Sequence, residues 1–81
     1  MKAMQLNMML HNGAQVIAFF EGPANDGIVL AHKEGAYQPY VTWAYDPGNS
    51  ESTTWGHYYE SYKEAWADFV ARVERTEEIP L

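Results

Sequence analysis

Cysteine is absent from the 81 residues. That excludes disulfides, thiolate catalysis and cysteine-ligated zinc. Positive charge is scarce: five Lys and Arg stand against eleven Asp and Glu, for a net charge of −6. Phosphate backbones are engaged by Lys and Arg, so direct nucleic-acid binding is disfavoured, while a basic protein partner is allowed. Residues 1 to 45 carry two cations and three acids; residues 46 to 81 carry three and eight. The acidity therefore sits in the C-terminal half, where it first of all maintains solubility. No unbroken apolar run is long enough for a signal peptide or a transmembrane helix, which points to a cytoplasmic protein without membrane contact. Glycines are scattered at turns, so no phosphate-cradling loop is expected. Ser50, Ser52, Thr53 and Thr54 lack the context of a nucleophile.

Aromatic residues are plentiful. All three Trp and all six Tyr lie between Tyr37 and Val73. A chain of this length forms one domain with a limited core, and large aromatics must supply much of it. Mean hydropathy is nevertheless negative, at −0.42, partly because Tyr and Trp carry polar atoms that suit half-wet positions and interfaces.

The pattern predicts an α+β fold, an antiparallel sheet of four to five strands with one C-terminal helix packed on one face. Met4, Leu6, Met8 and Leu10 alternate with Gln5, Asn7 and Met9, the period of a half-buried strand. Asn12-Gly13 is a strong hairpin signal, and Gln15 to Phe20 reads as the return strand of a hairpin over residues 4–20. Residues 21–27 read as a loop. Residues 28–33 fit a strand through their β-branched residues, or a short helix capped by Asn25 or Asp26. A second hairpin is expected over residues 37–59: two aromatic runs separated by the polar loop 46–54, with Pro47-Gly48 at the turn centre.

A helix is expected over residues 61–75. Ser61 and Glu64 form a capping box. Tyr62, Ala65, Trp66, Phe69, Val70 and Val73 make one apolar stripe. Asp68 and Arg72, four apart, lie off it as a surface pair. Residues 76–81 read as a frayed tail.

Sites are harder to nominate. His11, His32 and His57 are not paired at i, i+3 or i, i+4 with one another or with a carboxylate in a helical frame, so neither a metal nor a cofactor is expected. His11 falls at the first turn and is expected to face solvent. The stretch Asp46 to Glu51 lacks the ligand spacing of a calcium loop. Stacking of single-stranded bases on the aromatic strands lacks its electrostatic half. His57 as a general base needs an orienting acid, and the sequence names none.

The run Pro39-Tyr40-Val41-Thr42-Trp43, the later Trp55-Gly56-His57-Tyr58-Tyr59, and Ala65, Asp68, Phe69 and Arg72 on the helix resemble small uncharacterised accessory proteins of bacterial conjugative elements and phages. The resemblance spans about half the chain and rests on structural residue types. It implies a cytoplasmic accessory of a mobile element and assigns no activity. Such cargo includes acidic blockers of host enzymes, although Arg72 and Arg75 interrupt the acidic helix here.

Three expectations about function follow. The first is a non-enzymatic protein-interaction module that self-associates, as a homodimer, through an uncovered sheet face. Trp43, Tyr45, Trp55, His57, Tyr58 and Tyr59 are its candidate surface. The second is an acidic DNA mimic that inhibits a nucleic-acid enzyme, using Glu60, Glu64, Asp68, Glu74, Glu77 and Glu78. The third is a small enzyme with His57 as base and Tyr59 or Tyr45 as proton donor, which requires a closed pocket at His57.

Overall fold

The computed structural model of the chain describes residues 3–10, 12–23 and 25–77. Four strands follow one another across one sheet: β1 (Gln15–Glu21), β2 (Gly27–His32), β3 (Tyr40–Asp46) and β4 (Asn49–Tyr59). Each pairs antiparallel with the next. The helix α1 (Tyr62–Glu77) then packs on one face. This is the expected α+β class, with four strands. No helix of the described residues is long and apolar enough to cross a membrane.

Residues 28–33 fall within β2 and its end, so the strand alternative holds. Ile28, Val29, Leu30 and Ala31 are all buried. A strand covered on both faces loses the alternation that identifies a half-buried one, and that left the helix open as a reading.

The hairpin over residues 4–20 is corrected. Residues 4–10 do not form a ladder strand. A single bridge joins Met9 to Gln15. Val16 accepts from Asn7 N–H at 2.8 Å and donates to the Met8 carbonyl at 2.9 Å. Asn7 takes φ 68°, which breaks the extended run. The period of two fails with it: Met4 and Leu10 are buried, whereas Leu6 is 58% exposed. The Asn12-Gly13 turn does form, with Asn12 Oδ1 accepting the Ala14 N–H at 3.1 Å.

The consequence is a second layer. Met4, Leu10 and Ala14 pack with Val16, Val29, Ala31, Val41, Trp43 and Tyr45 on one face of the sheet. On the other, Ile28 and Leu30 pack with Ala65 and Phe69 of α1.

The second hairpin also differs from expectation. Asp46 pairs with Asn49, so the turn is Pro47-Gly48 alone and residues 49–54 are strand, not loop. Asp46 Oδ1 accepts the Gly48 N–H at 2.9 Å, the short-range bond by which Asp favours turns. Further along, the register slips between Thr42 and Ala44. Trp55, at φ 53°, and Gly56 form a bulge there. A Cβ on Gly56 would stand 2.6 Å from Trp43 Nε1, and one on Gly27 2.6 Å from the Tyr45 ring. Both glycines let an aromatic ring lie flat against the backbone of the neighbouring strand.

Ser61 caps α1 as expected: its hydroxyl accepts the Glu64 N–H at 3.2 Å and donates to Glu64 Oε1 at 3.1 Å. The buried stripe is shifted. Ala65 and Phe69 are buried, Tyr62 and Trp66 are largely exposed, and Arg72 is only 6% exposed.

Candidate functional site

The shifted helix face brings together residues from three elements. Thr42 stands on the helix side of β3, fully buried. His57 is its partner across β4. Asp68 and Arg72 descend from α1. Thr42 Oγ1 donates to Asp68 Oδ2 at 2.6 Å. Arg72 Nη1 donates to Thr42 Oγ1 at 2.9 Å and to the Thr42 carbonyl at 3.2 Å. His57 Nδ1 lies 3.0 Å from Asp68 Oδ2. A carboxylate only accepts, so His57 carries its proton on Nδ1 and donates it. Arg72 Nη1, 3.4 Å from the same Nδ1, is then a neighbour and not a donor to it.

The electrostatics follow from this packing. Burial alone raises the Asp68 carboxyl, but hydrogen bonds from Thr42 and His57 and the charges of His57 and Arg72 outweigh it and hold the group below its ordinary value. Burial lowers Arg72; Asp68 opposes that shift and Arg75 adds to it. Burial, then the Asp68 charge, raises Tyr59. The orienting acid missing from the sequence reading is therefore Asp68, eleven residues along the chain. The Asp68–Arg72 spacing pointed to a surface pair; the buried arrangement depends on how the helix is rotated against β3.

A histidine oriented through Nδ1 keeps Nε2 for solvent or a ligand, as in hydrolase triads. Thr42 is no nucleophile, being buried with its proton committed to Asp68. His57 lines none of three surface clefts, one over Val41 and Trp43, one between Trp55 and α1, and one near the β3–β4 turn.

The aromatic candidates separate into two groups. Trp43 and Tyr45 belong to the core, which corrects their assignment to an interaction surface. The Tyr45 hydroxyl donates to Glu21 Oε2 at 2.8 Å; burial, then that carboxylate, drives the phenol far above its ordinary value. Tyr59 is half-buried against the helix side. Tyr58 and Trp55 are exposed. Tyr58 meets Trp43 edge to face at 6.3 Å. It borders a cleft of about 320 Å³ floored by Val41 and Trp43, with Lys33, Tyr37 and Pro39 in its walls. This cleft lies on the sheet face away from α1, at the margin of the N-terminal segment, whose Asn12 and Ala14 also line it.

Trp55 stands elsewhere. It borders a cleft of about 220 Å³ on the helix side, with Ile28, Ala44, Arg72 and Arg75. It also borders a more open one of about 420 Å³ near the β3–β4 turn.

Of the acidic candidates, Glu60, Glu64 and Glu74 are exposed, whereas Asp68 is drawn into the network with Thr42 and His57. The Glu77 side chain and Glu78 lie outside the described residues, as does His11. Among the described residues no cluster of His, Asp and Glu is arranged to hold a metal. No protein-family model, no curated protein and no solved structure matches the chain.

Proposed function

We propose that the protein is a non-enzymatic interaction module that self-associates through the uncovered part of the sheet face away from α1. One observation carries this reading. The N-terminal segment packs on that face without closing the cleft beside Val41 and Trp43, and Tyr58 is left 51% and Tyr37 86% exposed there. Tyr at such a position presents large rigid area with little entropy to lose, which suits an interface anchor.

The partner is a second copy. A two-fold dimer places the same patch against itself and withdraws both tyrosines from water. β4 strengthens the reading. It is an eleven-residue edge strand, whereas the other edge, β1, is met at Gln15 and Val16 by the N-terminal segment. The resemblance to mobile-element proteins extends the reading to an accessory role in such an element.

Sedimentation velocity over a wide concentration series tests it. The native chain is expected to move from monomer to dimer mass, and Tyr58→Ser with Tyr37→Ser to remain monomeric. Monomer mass throughout for the native chain ends the proposal.

A further inference from the structure

We infer that the cleft between Trp55 and the C-terminal half of α1 is a binding site for a small aromatic monocarboxylate. It lies on the helix side of the sheet, apart from the proposed self-association face.

Three observations meet there. The first is Trp55 itself. It is 80% exposed and held at φ 53°, the left-handed region that side chains other than Gly and Asn rarely adopt. The αL position of a bulge of this type normally belongs to Gly. Here Gly follows one position later, where it serves the Trp43 ring. A large indole thus occupies a position that disfavours it and faces water, a combination that neither packing nor backbone geometry accounts for.

The second is charge. The whole chain has five Lys and Arg, and two of them, Arg72 and Arg75, line this one cleft. Asp68 compensates the Arg72 charge more than the neighbouring Arg75 opposes it, so Arg75, exposed at the mouth of the cleft, is the guanidinium with charge to offer an anion. Arg72 is fixed in place by its two bonds to Thr42, which lowers the entropic cost of using it.

The third is the lining. Ile28 and Ala44, on the helix side of the sheet, give an apolar floor. A planar ring fits between that floor and the indole, with its carboxylate towards the guanidiniums. Asp26 also lines the cleft. Its charge disfavours a compact dianion and leaves a single carboxylate on an apolar body as the better occupant.

The test is an NMR titration of the full chain with sodium benzoate at constant ionic strength, following the Trp55 indole N–H and the Arg75 Nε–H. Both resonances are expected to shift saturably. Benzyl alcohol, the neutral counterpart, is expected to bind at least tenfold more weakly, and inorganic phosphate to leave the indole signal in place. Arg75→Gln, a change at an exposed residue, and Trp55→Gly, which suits the αL backbone, are each expected to weaken benzoate at least tenfold. The thermal midpoint of Trp55→Gly is expected to be unchanged or raised. No saturable shift with benzoate, equal binding of benzyl alcohol, an equal response to phosphate, or native affinity in both variants overturns the assignment.

Discussion

Asp68 serves two roles at once. Its Oδ2 receives the Thr42 hydroxyl and the His57 ring N–H, and its charge compensates that of Arg72, which is buried beside it. Asp68→Asn keeps the shape and removes the charge. Hydrogen bonds to a charged group contribute roughly 1.5–3 kcal/mol, so the variant is expected to be less stable by about that amount at pH 7 in urea denaturation. The pH dependence has a definite sign. The carboxyl is held lower in the folded protein than in the unfolded chain, so the unfolded chain takes up the proton first as pH falls. The contribution is complete above the unfolded carboxyl value, near pH 4, and is lost as pH drops through the lower folded value. The stability gap between native protein and Asp68→Asn should therefore narrow below about pH 4. A gap of constant size between pH 7 and pH 3 would show that ionisation of Asp68 is not the source of the difference.

At the scale of elements, the N-terminal segment is where periodicity misled. Leu6 and Leu10 occupy equivalent places in a period of two, yet the turn at Asn7 sends only Leu10 into the core. Leu10→Ala is expected to cost about 2–5 kcal/mol, and Leu6→Ala to fall within about 0.5 kcal/mol of the native protein. Equal losses at both positions would restore the regular strand. Other elements were legible from local chemistry. The Ser61 cap, the Asn12-Gly13 turn and the Pro47-Gly48 turn depend on bonds between residues two or three apart, and sequence displays such bonds directly. What stayed hidden depends on how elements meet. Trp66 and Arg72 exchange their expected places because the helix is rotated so that Thr42 can receive Arg72. The pairing of His57 with Asp68 depends on the same rotation. The nine-residue polar loop became mostly strand because Ser52, Thr53 and Thr54, read as loop chemistry, also suit an edge strand. Trp43 and Tyr45 are core residues because Met4, Leu10 and Ala14 of the N-terminal segment join the cluster on their face, and no periodicity announces a segment that is neither helix nor strand.

The whole molecule is one sheet between two unequal covers, a helix on one side and an irregular N-terminal segment on the other. The unequal cover leaves aromatic surface exposed beside the cleft over Val41 and Trp43 and at the bulge of β4, in addition to Tyr62 and Trp66 on the outer side of α1. The strand order has a separate, kinetic consequence. Sheet order equals chain order, so each strand finds its neighbour by closing a short loop, and no pairing waits for a distant part of the chain. Loop-closure entropy is the main reason that sheet proteins fold slowly. A meander closed by a C-terminal helix avoids most of it, and the dominant refolding phase in stopped-flow fluorescence should fall on the order of milliseconds to tens of milliseconds. A dominant phase slower than about one second would mean that a long-range step governs folding. The docking of Met4 and Leu10 across strands made later in the chain would then be the first place to look.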